Sequence, residues 1–283
     1  ELGQMFARAG VEVTIVFRSR LLPKEEPEIG DALRGYLAEE GVRVVGGVAY
    51  RRIARTDTGV ALTVAQDGAE KTLAAETILV AVGRAPNTDG LGLPEAGITL
   101  DRRRAIIVND RLETSRPGVY AAGDVTGRDQ FVYMAAYGGK IAARNALNGN
   151  SARYDSLGMP AIVFTDPQVA TVGLTEALAR AAGHSTKTSV IGLENVPRAL
   201  ASRDTRGLIK LVADEKTDRL LGAHILAPEG ADSIQTAALA IRQGLTTSAL
   251  GEMIFPYLTT VEGLKLAALA FSKDVEKLSC CAG

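Results

Sequence analysis

Five consecutive apolar residues, Ile78-Leu79-Val80-Ala81-Val82, stop at Gly83 and narrow the possible folds more than any other stretch of the chain. A strand with one wet face alternates polar and apolar positions, so an unbroken run reads as a strand covered on both faces. Parallel sheets flanked by helices are built this way, which points to an α/β fold. The upstream pattern agrees. Residues 1–9 are helix-patterned and stopped by Gly10, and residues 11–17 are β-rich. Residues 28–40 form a helical pattern closed by Gly41, and residues 42–48 read as the next strand. Residues 60–64 and 72–74 flank Asp67-Gly68, a dipeptide suited to a tight hairpin turn. The first helix begins in mid-pattern at Glu1, with no initiator Met and no strand ahead of it, which leads to the expectation of a truncated chain.

Residues 1–83 are therefore the expected first domain, a Rossmann-like part without its start. Residues 84–153 change character, with a turn-rich crossing at Arg84-Ala85-Pro86-Asn87-Thr88, a strand at 119–122 and a helix at 131–147. After Asn148-Gly149-Asn150-Ser151 the third region, 154–283, mixes strands at 161–164, 169–172, 208–213 and 220–226 with helices at 175–182, 231–242 and 261–271. Irregular alternation of this kind implies an α+β domain, an antiparallel sheet flanked by helices. At 283 residues, 46% hydrophobic, the chain can bury more than one core. A formal charge of −1 supplies no field that favours nucleic acid or an anionic membrane. No apolar run approaches the ~20 residues of a membrane span, and no signal peptide opens the chain, so a cytoplasmic protein is expected.

In a Rossmann unit the residue ending the second strand faces the adenosine ribose. An acid there accepts hydrogen bonds from the 2′-hydroxyl of NAD, whereas a cation accommodates the 2′-phosphate of NADP. Here the strand ends in Val16-Phe17-Arg18-Ser19-Arg20, with Lys24 close behind and no acid between. Three cations at a strand end make a phosphate clamp; a solvated basic loop is the alternative reading. The Gly-x-Gly-x-x-Gly turn that would complete the site is not in the chain.

Two further motifs follow in order: Ala81-Val82-Gly83-Arg84-Ala85-Pro86-Asn87-Thr88 and Gly118-Val119-Tyr120-Ala121-Ala122-Gly123-Asp124. With both in place the whole chain resembles the pyridine nucleotide-disulfide oxidoreductases. The resemblance implies that Arg18 and Lys24, with Arg20 as a helper, meet the 2′-phosphate of NADPH. It also implies that Gly83, Gly123 and Asp124 belong to the cofactor set, with Asp124 binding the ribityl chain of FAD. A carboxylate at a strand end can accept a sugar-alcohol hydrogen bond, and an adjacent glycine lets a cofactor approach closely. The helix near Phe131 would aim its N-terminus at the flavin. Without the family context Asp124 reads first as a turn aspartate after a strand.

The chain departs from the family at a stretch that is His-Pro-Thr-x-x-Glu in the disulfide reductases, where the histidine passes protons to a thiol leaving group. Here it is Tyr257-Leu258-Thr259-Thr260-Val261-Glu262. A phenol with a pKa of about 10 is a poor base near neutral pH, which disfavours a disulfide substrate. His184 and His224 fall elsewhere and read as surface or structural residues. The only cysteines, Cys280 and Cys281, are neighbours. A bridge between them closes almost no chain and cannot staple a fold, so a reduced compartment and a chemical role fit better. Soft thiolates select soft metals, and Hg(II), very soft, favours two sulfur ligands. A chance pair at a terminus is the other reading.

In combination these features are similar to the mercuric-ion-reducing members of the family. That resemblance implies a homodimer formed by the C-terminal domain, with Cys280 and Cys281 delivering Hg(II) to a redox cysteine pair beside the partner's flavin and Tyr257 near the metal. Electrons from NADPH, passed through FAD, would reduce Hg(II) to Hg(0). The family's Cys-x-x-x-x-Cys and its first Gly-x-Gly-x-x-Gly are not among the 283 residues. These residues alone are therefore expected to dimerise but neither to hold FAD tightly nor to turn over. Two rivals remain: another flavin disulfide reductase of the family, or a non-catalytic metal-binding or dimerisation module.

Overall fold

The computed structural model describes residues 1–274. The chain divides into two compact units, Glu1–Thr77 together with residues 157 onward, and Ile78–Ser156.

In the first unit, α1 (Leu2–Arg8) leads into β1 (Thr14–Val16), and α2 (Pro27–Glu39) crosses over to β2 (Arg43–Val45), which pairs with β1 in parallel. The α2 helix opens with Pro27, whose missing N–H costs nothing in a first turn, and Ile29, Leu33 and Leu37 give it one apolar stripe at four-residue spacing. β3 (Ala49–Thr56), β4 (Gly59–Gln66) and β5 (Ala69–Ala75) form an antiparallel meander. Asp67 and Gly68 turn β4 into β5 with φ of 52° and 80°, the left-handed pair that a two-residue hairpin loop demands.

The rest of this unit is a five-stranded antiparallel sheet in the order β6-β7-β10-β9-β8, built from β6 (Pro160–Val163), β7 (Gln168–Gly173), β8 (Thr186–Gly192), β9 (Leu208–Asp214) and β10 (Leu220–Ala227). Between and after these strands run α4 (Glu176–Ala181), α5 (Pro197–Ser202), α6 (Gly230–Arg242), α7 (Thr247–Glu252) and α8 (Glu262–Leu269). In the second unit α3 (Val132–Leu147) covers a core of Ile98, Ile106, Val108, Leu112 and Ile141.

Both faces of the five-stranded sheet are buried. Ile209, Leu211, Ala223 and Ile225 pack under Ile234, Leu250 and Leu264 of α6, α7 and α8. Val169 and Leu226 point the other way, onto Ile29, Leu33 and Leu37 of α2. Alternate residues serve opposite cores, so β9 and β10 are buried on both faces although the sheet is antiparallel.

The expected helices at 28–40, 131–147 and 231–242 and all four expected strands of the C-terminal region are present, with ends shifted by a few residues. Two expected strands are not. Residues 78–82 form no ladder, and Leu79, Val80 and Val82 are 58%, 65% and 79% exposed. Among the described residues only β1 and β2 pair in parallel, and no strand lies beside this run to satisfy its backbone. Residues 119–122 contribute a single bridge, Glu113 with Tyr120, because Val119 N is turned back onto Arg116 O in a tight local turn. Conversely, β3, β8, α5 and α7 form where no element is expected from the sequence.

Candidate functional site

The basic strand end takes shape where the β1–β2 ladder stops. Phe17 N donates to Val45 O at 3.0 Å, after which the chain leaves the sheet at Arg18. Arg18 and Lys24 are exposed and have no salt bridge among the described residues. Arg20 is turned inward: its Nη2 donates to Pro23 O at 3.0 Å and to Glu25 O at 2.5 Å, which curls residues 20–25 into a closed loop. Its Nη1 is buried without a partner among the described residues. A hollow of about 420 Å³ opens beside the loop, with Arg20, Arg34, Arg43 and Lys71 in its wall and Asp31 as the one acid lining it. That excess of positive charge suits a phosphate-bearing ligand. Arg34, Arg43 and Lys71 carry no local sequence signal, because α2, β2 and β5 bring them together only in the fold.

In the second unit Gly123 (φ 79°) ends the Tyr120-Ala121-Ala122 segment, and Asp124 begins a 3-10 turn, Asp124–Thr126. A side chain at Gly123 would press on Ala135 Cβ at 3.1 Å, so the glycine lets α3 lie close against this corner. The Asp124 carboxylate is half-exposed and lies 3.7 Å from Arg84 Nη1, while Gly83 holds a φ of 116° just ahead. Phe131 offers no side-chain cap to α3, whose positive end begins at this corner. The corner fits one stretch of a flavin dinucleotide: a carboxylate for a sugar-alcohol hydroxyl, room for close approach and a helix end for negative charge.

Tyr257 lies in the loop between α7 and α8 and is 56% exposed, in company with Ile254 at 97%. The loop is braced from within. Leu258, held at a φ of 65°, donates its N–H to Glu262 Oε2 at 3.2 Å, and Thr259 Oγ1 donates to Pro256 O at 2.8 Å. Glu262 thus supports the backbone beside Tyr257. The remaining expected metal ligands, Cys280 and Cys281, lie outside the described residues, among which no group of three or more His, Cys, Asp or Glu is placed to hold a metal.

The two histidines have structural settings. His184 Nδ1 lies 2.8 Å from Asp214 Oδ2, and that hydrogen bond, with others from Thr217 and Lys216, holds the Asp214 carboxyl down at about 2. His224 is 1% exposed within β10. No helix among the described residues is long and apolar enough to cross a membrane.

Residues 1–139 match the family model for pyridine nucleotide-disulphide oxidoreductases, and residues 159–268 match that family's dimerisation domain. The whole chain is 47% identical, over 284 residues, to a mercuric reductase of Bacillus cereus, covering 45% of that protein. It is 49% identical, over 288 residues, to a mercuric reductase of Shigella flexneri, covering 50% of it. Among solved structures, the Cu(II) complex of the HOCl-induced flavoprotein disulfide reductase RclA from Escherichia coli matches with a TM-score of 0.84 at 31% identity, over 96% of this chain and 61% of that one. LpdA from Mycobacterium tuberculosis also matches at 0.84, with 29% identity over 96% of this chain and 59% of that one. The chain spans about half the length of the curated relatives it matches. With both domains of one family present in order and the fold of its solved members reproduced, the chain belongs to the pyridine nucleotide-disulphide oxidoreductases.

Proposed function

We propose that the protein acts in mercury detoxification as an NADPH- and FAD-dependent reductase of Hg(II), a homodimer joined through its dimerisation domain and working in the cytoplasm. One observation carries the reading: near-half identity, along the entire chain, to proteins that are mercuric reductases. Two features of the sequence support it independently. Tyr257 stands where the disulfide reductases keep a proton-relaying histidine, and Cys280-Cys281 supplies two soft sulfur ligands.

The balance is NADPH + Hg(II) → NADP⁺ + Hg(0) + H⁺, with FAD, when bound, supplying the two-electron carrier between them. Arg18, Arg20 and Lys24 would hold the 2′-phosphate of NADPH at the basic strand end, as phosphate clamps do. Asp124, with Gly83 and Gly123 shaping the approach, would accept a ribityl hydroxyl of FAD. Cys280 and Cys281 would take up Hg(II) as a dithiolate and release it by ligand exchange. Tyr257 would line the site that receives the metal. No proton has to be passed to a leaving thiol in this reaction, so loss of the histidine is tolerated.

The test is Hg(II)-dependent NADPH oxidation by the protein as its gene encodes it, under excess competing thiol. Replacing both cysteines (Cys280→Ala with Cys281→Ala) is expected to slow turnover; unchanged turnover would remove the delivery role. Efficient reduction of a small-molecule disulfide with no response to Hg(II) would replace this reading with that of another flavin disulfide reductase, and absence of any bound flavin would favour a non-catalytic module.

A further inference from the structure

Few polar side chains are buried on the α2-facing side of the five-stranded sheet, and three of them stand in one row. Thr171 on β7, His224 on β10 and Lys210 on β9 are register partners, His224 opposite both neighbours. They are 7%, 1% and 2% exposed. The row meets the N-terminus of α2, where three acids follow Lys24 within four residues: Glu25, Glu26 and Glu28.

The contacts are specific. Lys210 Nζ donates to Glu26 Oε2 at 3.0 Å, to Glu28 Oε1 at 2.8 Å and to Glu176 Oε2 at 3.4 Å. Glu26 Oε1 accepts from Glu176 N at 2.5 Å. His224 Nε2 lies 3.2 Å from Leu174 O and 3.9 Å from Glu26 Oε1. Burial pushes the Glu25 carboxyl up, while a Thr171 hydrogen bond and the nearby Arg20 and Lys24 hold it down. Burial opposes the Lys210 charge, yet Glu28 and Glu26 keep its pKa above the ordinary value.

The same segment closes the basic loop. Arg20 grips the carbonyl of Glu25. Gly30, one turn into α2, leaves space for the loop to lie on the helix: a Cβ there would stand 2.6 Å from Leu21 O. The loop bearing Arg18, Arg20 and Lys24 is thus pinned at its far end by the sheet of the dimerisation domain. An apolar residue of similar volume at 210 could stabilise the core as well as a buried ion cluster does. What it could not do is fix where the first turn of α2 sits.

We propose that Lys210 is a positioning residue for the nucleotide: through Glu26 and Glu28 it sets the loop that reads the 2′-phosphate, so the preference for NADPH over NADH depends on a lysine of the dimerisation domain. The inference rests on the NADPH reading above. Its effect falls on the phosphate-bearing nucleotide, because NADH has no group for the loop to read.

The experiment compares KM and kcat with NADPH and with NADH for the protein as its gene encodes it, in wild-type form, with Lys210→Met and with Glu28→Gln. The expected result for Lys210→Met is a rise of about tenfold in KM for NADPH, with KM for NADH and both kcat values within about twofold. Glu28→Gln, a half-exposed position that removes one carboxylate charge, is expected to raise KM for NADPH about threefold and decides the matter if Lys210→Met does not fold. A purely structural loss would lower kcat for both nucleotides alike and leave their KM ratio unchanged; that outcome in a folded variant overturns the proposal. A wild-type protein with no preference for NADPH overturns the nucleotide reading itself, and with it this inference, whatever the variants do.

Discussion

His224 should make the fold sensitive to mild acid, and the size of the effect follows from its surroundings. The ring is 1% exposed, its Nε2 has a carbonyl acceptor in Leu174 O, and its Nδ1 has no partner among the described residues. Burial pushes its pKa below the ordinary value; Glu26 and Glu28 on α2 pull upward and Lys210 on β9 pushes down, but desolvation dominates. The unfolded chain therefore binds a proton near pH ~6.5 that the folded chain refuses, so stability is lost as pH falls through that value, down to the depressed folded pKa. One proton of difference limits the slope to about 1.4 kcal/mol per pH unit, and the loss between about pH 6.5 and 5.5 to about 1 kcal/mol. Urea unfolding of wild type and of His224→Gln at those two values measures it. Glutamine retains a donor for Leu174 O but does not titrate, and the carboxylates common to both proteins cancel in the difference. Wild type should lose more stability than the variant over this interval, by at most about 1 kcal/mol. Parallel losses in the two proteins would refute a buried, neutral imidazole at this position.

Two further substitutions probe the sheet that carries this cluster. Leu264 of α8 is fully buried against the core, and Leu264→Ala should cost about 3 kcal/mol in urea unfolding; a loss below about 1 kcal/mol would mean that α8 is not seated on the sheet. Gly222 starts the bulged stretch of β10, and an added Cβ would stand 1.9 Å from Leu174 O, so Gly222→Ala should lower the melting temperature despite the better intrinsic propensity of alanine. An unchanged melting temperature would contradict the close approach of those two backbones.

Elements whose burial repeats along the chain are legible in the sequence. The stripe Ile29-Leu33-Leu37 marks α2, and the largely apolar stretches of β9 and β10, each interrupted by one charged or polar residue mid-strand, mark strands, because each carries its partner's demand in its own spacing. The same local logic misreads Ile78–Val82: the apolar character is there, but a strand needs a neighbour, and among the described residues no other strand pairs with it. β8 fails in the opposite sense. Thr186–Gly192 alternates too weakly to be read, and becomes a strand because the edge of β9 offers it a ladder. The six-residue helices α5 and α7 are too short for propensity alone to nucleate and depend on packing.

Three features are legible in the chain alone or by its resemblance to the family: a cationic strand end without an acid, a tyrosine where the disulfide reductases keep a histidine, and two adjacent cysteines. The cations and the cysteines each lie within a few residues of their companions, so spacing along the chain suffices to find them, whereas Tyr257 is marked only by the family resemblance. What surrounds and braces the cationic strand end, by contrast, comes only from the folded chain. Arg34, Arg43 and Lys71 meet around one hollow, and Lys210 meets Glu26, from positions far apart in the chain. Such meetings are settled by strand register and by which face of a helix is buried, quantities fixed only when the whole sheet closes, and no local pattern encodes them.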